Sequence, residues 1–421
     1  NGINVENLLF KKTELGYLKT KGVCITPNGA MFKNDKQGFL PNILDKMYND
    51  RARYKRMMLE AKQEFQKTKN KELEKKIATY HNIQWAKKIA LNSAYGAVGN
   101  QYFRYYDVRQ ATAITSAGQF IIRFIENRVN QYLNKILKTH DKYDYVIASD
   151  TDSIYITLEK LVDKVCQGKD DKQVLKFIDK VVESRIEKFI DECFKELADY
   201  TNAFKQRMVM KREVVANKGI WTTKKRYMLN VLDEEGITFD EPKLKLMGIE
   251  AVRSSTPEVC RTKIKQAINI IMNKDENTLI DFVENFRKEF INYTAEQISF
   301  PRSCNNLIKY KHSSDIFIKG TPIHVKGALI YNHYLNSMKL KNKYPKIQEG
   351  DKIKFLLLNE PNPFKFNVVS YLTKLPKEFL LQKYINYDLQ FQKTFLDPLS
   401  FILNSIGWSY EKKASLESFF E

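Results

Sequence analysis

Apolar residues recur at helical spacing across residues 42–96, with one interruption. Ile43, Leu44, Met47, Tyr48, Met57, Met58 and Ala61 hold the period as far as the basic stretch Lys67-Thr68-Lys69-Asn70-Lys71, and Ile77, Tyr80 and residues 84–95 resume it. Spacings of three and four put such residues on one side of a helix, so the pattern predicts an antiparallel helical hairpin with a lysine-rich tip. A second long helix is predicted from Ile114, Ile121, Phe124, Ile125, Val129, Tyr132, Leu133 and Ile136. A β-type run over residues 145–158 follows it. Residues 172–200 read as a further amphipathic helix, and 208–231 as strand with a basic centre at Lys224-Lys225-Arg226. The first forty residues are polar and turn-rich, with Thr26-Pro27-Asn28-Gly29 as a tight turn between short strands. Beyond a boundary near Gly248, residues 257–292 alternate charged and apolar positions at helical period, and the remainder mixes basic loops with short apolar segments such as 325–331. Helices and hairpins in separate runs indicate an α+β fold.

Composition narrows the class. A chain of 421 residues is long enough for two or three units that each bury a core. No run of eighteen apolar residues is present, so membrane insertion is not expected. The first residues have no basic stretch leading into an apolar core, so an intracellular rather than secreted protein is expected. Cys24, Cys166, Cys193, Cys260 and Cys304 are scattered without CxxC spacing, which suggests neither a zinc site nor a disulfide framework. The formal net charge of +20 favours a polyanionic partner, nucleic acid first among them, although charge does not separate DNA from RNA.

Two local patterns carry chemistry. Ser149-Asp150-Thr151-Asp152-Ser153 sets two carboxylates at the tip of an apolar β-hairpin. Close carboxylates repel unless a cation or proton lies between them, and a hard divalent ion such as Mg²⁺ is their natural partner. A solvated Asp-rich turn would give the same local sequence. In the helical hairpin, Lys88, Asn92 and Tyr95 fall at i, i+4 and i+7 on one face, while Arg51 and Lys55 form a like-charge pair on the other arm. Such a pair weakens an isolated helix unless an anion lies across it, and a triphosphate would be such an anion.

These residues resemble known motifs. Lys88 to Gly96 is similar to motif B of family B DNA polymerases, and Asp150-Thr151-Asp152-Ser153 to their motif C, in the family's order. Lys224-Lys225-Arg226-Tyr227 resembles the family's KKRY motif. Asn100 to Asp107 with Thr112-Ala113-Ile114-Thr115, and Lys412-Lys413-Ala414-Ser415-Leu416, resemble polymerases of T-even-type bacteriophages. The resemblance implies a right-hand polymerase: an antiparallel-sheet palm (1–40 and 100–248), helical fingers (41–99) and a mostly helical thumb (249–421). It implies that Arg51, Lys55 and Lys88 grip an incoming dNTP, that Asn92 and Tyr95 shape the nascent base-pair pocket, and that Asp150, Asp152 and Glu213 serve two Mg²⁺ ions. Lys225 and Tyr227, two apart on a strand, would hold the primer terminus, with Lys224 and Arg226 meeting phosphate or solvent. Leu416, Phe419 and Phe420 resemble a sliding-clamp-binding tail.

The resemblance has gaps. No motif A, the Asp and Ser-Leu-Tyr-Pro-Ser-like run that supplies a partner carboxylate and a steric gate, occurs in the sequence, and no exonuclease region precedes it. The fingers arms are short and the loop at Ala216-Asn217-Lys218-Gly219 is trimmed. The expected enzyme is therefore the C-terminal part of a replicative DNA-directed DNA polymerase, acting on primer-template DNA in the cytoplasm of an infected host cell. It would need an N-terminal polypeptide carrying motif A and the exonuclease, unless the chain is a truncated one. The alternative is a non-catalytic subunit that binds primer-template DNA and the sliding clamp. A reverse transcriptase or RNA polymerase would share the paired-Asp hairpin but not motif B or KKRY.

Overall fold

The structure, a computed structural model, describes residues 2–139, 143–312 and 315–411. The chain divides into two compact units, one of Asn1–Val215 with Leu232–Glu241, the other of Ala216–Val231 with Pro242–Glu421. Both mix helices with small sheets, so the α+β class holds.

The first unit opens with α1 (Val5–Leu9), α2 (Tyr17–Lys21) and the antiparallel pair β1 (Val23–Ile25) and β2 (Met31–Lys33), joined through the turn anticipated at Thr26–Gly29. The predicted helical hairpin follows as α3 (Phe39–Thr68) and α4 (Glu72–Val98). Lys69 ends α3 in the left-handed region, φ 54°, so the reversal falls within the lysine-rich tip. Next comes α5 (Val108–Leu137), started by Asp107, whose carboxylate accepts from the Arg109 N–H and so satisfies an otherwise orphaned helix donor. The strands β3 (Val146–Asp150) and β4 (Ser153–Ile156) form an antiparallel hairpin, and α6 (Glu159–Val165), α7 (Asp171–Val181) and α8 (Glu187–Tyr200) complete the run. The helix expected over 172–200 is thus two helices in continuous coil, separated by a π-type turn at Val182–Ile186. The core of this unit is the apolar face of α5 (Phe120, Phe124, Ile125, Val129, Leu133) set against Ile190, Cys193, Phe194 and Leu197 of α8, with Tyr145 and Val146 at the root of the β3–β4 hairpin.

The strand pattern read over 208–231 begins later, at β5 (Val214–Thr223), and continues through β6 (Arg226–Glu234) and β7 (Ile237–Met247) in the order β5-β6-β7. Residues 208–213 precede the sheet, and two of them are bound to α8 instead. The Arg212 N–H donates to Glu187 Oε1 at 2.8 Å, and Lys211 pairs with the same carboxylate at 2.6 Å.

The second unit holds α9 (Glu258–Asn273), α10 (Glu276–Phe290), α11 (Ala295–Ile298), β8 (Phe300–Ser303), α12 (Leu307–Tyr310), α13 (Ile323–Ser337), β9 (Lys352–Leu357), β10 (Val368–Tyr371), α14 (Tyr387–Phe391) and α15 (Asp397–Asn404). Its antiparallel sheet runs β10-β9-β8. Phe286, Phe290, Phe391 and Phe395 meet at ring separations of 4.8–5.7 Å in tilted and edge-to-face pairs, which suits their quadrupoles and fills the core. The segment 325–331 lies within α13, whose Gly327 lets the helix close on β10. A Cβ there would come within 2.5 Å of Ser370 Oγ and 2.8 Å of its backbone nitrogen.

Candidate functional site

The paired carboxylates lie at a two-residue reversal between β3 and β4, where Asp150 faces Ser153 across the hairpin. The Asp152 N–H donates to the Asp150 carbonyl at 2.7 Å, and Thr151 stands at φ 58°. A β-branched residue in the left-handed region is strained, and strain of this kind concentrates at functional sites. The hairpin is anchored by α5: Asn130 Oδ1 accepts from the N–H groups of both Tyr145 and Val146 at 2.9 Å, and Asn134 Nδ2 donates to the Tyr143 carbonyl at 2.8 Å. Asn130 and Asn134 are one turn apart beside an otherwise apolar face, a signal the sequence offered and apolar periodicity passed over. Asp152 is exposed and Asp150 half-buried.

Glu213 is exposed and immediately precedes β5. Its carbonyl accepts from the Glu235 N–H at 2.7 Å. Its neighbour Arg212 spans buried Asp233, through the guanidinium, and Asp179 at 2.6 Å. Asp233 also accepts from the Gly236 N–H at 3.0 Å and from Thr238 Oγ1 at 2.9 Å. This network, buried at Asp233, holds the backbone beside Glu213, and its members went unremarked in the sequence because their meeting depends on chain reversal. Among the described residues no group of three or more His, Cys, Asp or Glu side chains is arranged to hold a metal ion. The chemistry of the Asp150 and Asp152 turn fits a hard cation, for which it would supply part of an oxygen shell that phosphates and water can complete.

The cationic residues lie on the two arms of the helical hairpin, which Asp50 and Lys87 tie together at 2.9 Å. Arg51 Nε is buried with no hydrogen-bond partner, and among the described residues neither Arg51 nor Lys88 forms an ion pair. Lys88 Nζ sits 5.3 Å from the Trp85 ring centre. Leaving a buried donor unpaired costs on the order of 1–3 kcal/mol, which an anion at this position would relieve. Lys55 differs, since it is ion-paired with Glu235. Asn92 and Tyr95 are exposed on α4, as helical spacing required. Asp50 titrates below the ordinary aspartate range because Lys87 hydrogen-bonds and attracts its charged form. A depressed carboxyl stabilises the hairpin above its unfolded pKa of about 3.9, and that contribution is lost as pH falls through its lowered folded value. In Lys87→Met the Asp50 carboxyl, followed by NMR titration, is expected to return upward to the ordinary range; an unmoved titration would contradict the assignment.

In the second unit the KKRY residues do not all lie on one strand face. Lys224 and Lys225 form the β5–β6 turn, Lys225 at φ 63°, so strand alternation does not relate Lys225 to Tyr227. Tyr227 is buried and stacked on Trp221 at 5.9 Å. Arg226, expected to meet phosphate or solvent, instead grips Glu250 through both terminal nitrogens at 2.9 and 2.5 Å. Spacing along a strand could not reveal that carboxylate 24 residues away. Gly248 permits this packing: it stands at φ 66°, and a Cβ would collide with the Lys225 carbonyl. Leu416, Phe419 and Phe420 lie outside the described residues.

Residues 5–406 match the model of DNA polymerase family B. The chain is 34% identical to a protein named DNA-directed DNA polymerase from Escherichia phage RB69, covering 94% of this chain and 49% of that protein. It is 36% identical to the protein of the same name from Enterobacteria phage T4, over 83% of this chain and 40% of that one. A DNA polymerase of Thermococcus sp. (strain 9oN-7) is 26% identical over 58% of the chain. The chain thus spans about half the length, or less, of the curated relatives it matches.

Proposed function

The chain belongs to DNA polymerase family B, and from that premise we propose that it is the C-terminal part of a replicative DNA-directed DNA polymerase that extends a primer with dNTPs. The observation that carries this reading is the Asp150-Thr151-Asp152 turn, strained at Thr151 and anchored by Asn130, in the same unit as the buried, unpartnered Arg51 Nε. In the right-hand scheme, α3 and α4 form the fingers, the β3–β4 hairpin lies in the palm, and the helical C-terminal region is the thumb.

Bound Mg²⁺ ions would neutralise charge on the phosphates and lower the pKa of the primer hydroxyl. Asp150 and Asp152 would hold them, with Glu213 close by. Arg51, Lys55 and Lys88 bind and orient the triphosphate, compensating negative charge as the leaving pyrophosphate departs. Asn92 and Tyr95 border the nascent base pair. Lys224 and Lys225, both exposed, meet the phosphate backbone of the primer, while buried Tyr227 braces the turn that carries them.

A further carboxylate, carried by motif A on a preceding segment of the same protein or on a second polypeptide together with the exonuclease, would complete the metal site. A sliding clamp is a further partner through Leu416, Phe419 and Phe420, and the site of action is the cytoplasm of an infected cell. The second reading is a non-catalytic subunit that binds primer-template DNA and the clamp. Primer extension with Mg²⁺ separates the two. The chain mixed with a motif A-bearing polypeptide is expected to exceed the chain alone by at least about a hundredfold, since a metal ligand supports several kcal/mol of charge stabilisation. Equal activity from the chain alone would sink the two-polypeptide arrangement, and an inert mixture would favour the non-catalytic subunit.

A further inference from the structure

Lys55, alone of the three cations on the helical hairpin that are assigned to the triphosphate, already has an anion. Glu235, half-buried like Lys55, forms an ion pair with it. Glu235 and Gly236 are the two residues that connect β6 to β7, at φ 54° and 81°. Positive φ at both central residues makes this a type I′ reversal, where Asn or Asp ordinarily precedes Gly because their short side chains tolerate the left-handed region. Glutamate has no such advantage, but its longer side chain reaches α3. The reversal is held from below by the Asp233 carboxylate on the Gly236 N–H and by the Glu235 N–H on the Glu213 carbonyl. A second, longer contact joins the same elements, from Gln63 Nε2 to the Gly236 carbonyl at 3.5 Å. A strained residue is therefore kept where its carboxylate occupies one member of a cationic set.

We propose that Glu235 is a displaceable latch: in the absence of nucleotide its carboxylate holds Lys55 and docks α3 on the β6–β7 turn, and an incoming triphosphate must displace it to recruit Lys55. Arg51, one helical turn earlier, forms no ion pair among the described residues and would receive the phosphates first. Exchange of one anion for another at Lys55 then couples nucleotide arrival to release of the helical hairpin. A wrong or short polyphosphate that fails to reach Lys55 leaves the latch closed. The proposal rests on the nucleotide-binding assignment of this hairpin.

Binding of Mg·dATP and of inorganic tripolyphosphate to the full chain with primer-template DNA, measured by calorimetry, tests it without requiring catalysis. Glu235→Gln keeps shape and removes charge, and is expected to tighten both ligands by about two- to fivefold, the range for a partly exposed ion pair. Lys55→Met should weaken both, and adding Glu235→Gln to it should change nothing further. Glu235→Asp, which keeps the charge but is one methylene shorter and falls short of α3, should tighten both ligands as Glu235→Gln does. Weaker or unchanged binding by Glu235→Gln, while Arg51→Ala loses affinity, overturns the latch and leaves the nucleotide site standing. A lowered melting temperature with unchanged affinity likewise overturns it, leaving Glu235 as a brace. Failure of wild-type chain to bind either ligand overturns the nucleotide assignment and the latch with it.

Discussion

Asp152→Asn is expected to reduce templated dNTP incorporation by the complemented enzyme by at least about a thousandfold, which corresponds to losing about 4 kcal/mol of transition-state stabilisation. The change is nearly isosteric, and Asn is at home in tight turns, so the 2.7 Å bond from the residue 152 N–H to the Asp150 carbonyl should survive. What goes is the charge that fits the turn to a hard divalent ion. Asn offers only a neutral carbonyl oxygen, and Asp150 is left as the sole carboxylate on the hairpin. Primer-template affinity should hold or rise slightly, because a carboxylate facing phosphates has been removed. Single-turnover extension and a DNA-binding titration on the same preparations separate the two effects. A fall of less than tenfold would remove Asp152 from the metal site, and a parallel loss of DNA binding would point to a damaged hairpin.

The largest stability effect is expected at Asp233, not at an apolar core residue. This carboxylate is almost wholly shielded from water and joins the Arg212 guanidinium, the Gly236 N–H and the Thr238 hydroxyl. Asp233→Ala leaves all three donors facing an apolar void. Removing one partner of a buried pair typically costs 3–5 kcal/mol, and because Arg212 retains Asp179 the lower end, about 3 kcal/mol, is expected here. For units of about 150–250 residues that amounts to a melting shift of roughly 6–12 °C. Asp233→Asn, which keeps shape and can still accept, should cost less. The substitution should also loosen the β6–β7 reversal, so hydrogen exchange at Gly236 ought to rise more than exchange in α5. A shift of under 2 °C would mean that the network is decoration on a sheet held by its apolar residues.

Periodicity made the long elements legible. The α3–α4 hairpin and its basic tip, α5, and the Asp-bearing β-hairpin all follow from local spacing, because a helix face and a strand face are each defined by residues only a few positions apart. For the same reason Lys88, Asn92 and Tyr95 could be put on one helix face, and Asp150 and Asp152 at one turn. The KKRY segment is where that logic broke down. Its first two residues are a turn, and a turn with a left-handed Lys225 has no period to read.

The partnerships were illegible for a different reason. Lys55 with Glu235, Arg226 with Glu250 and Arg212 with Asp233 join residues 21 to 180 positions apart, and each acid could equally have been a solvated surface charge. A sequence fixes the inventory of charges, whereas only the folded chain decides which of them meet, since Coulombic pairing depends on distances that chain reversal sets. From the residues alone came the family, the α+β class, the identity of the candidate carboxylates and the cationic face. The tertiary structure decided that Arg226 is spent on Glu250, that Arg51 Nε waits buried without a partner, and that Lys55 is already held by the turn at Glu235.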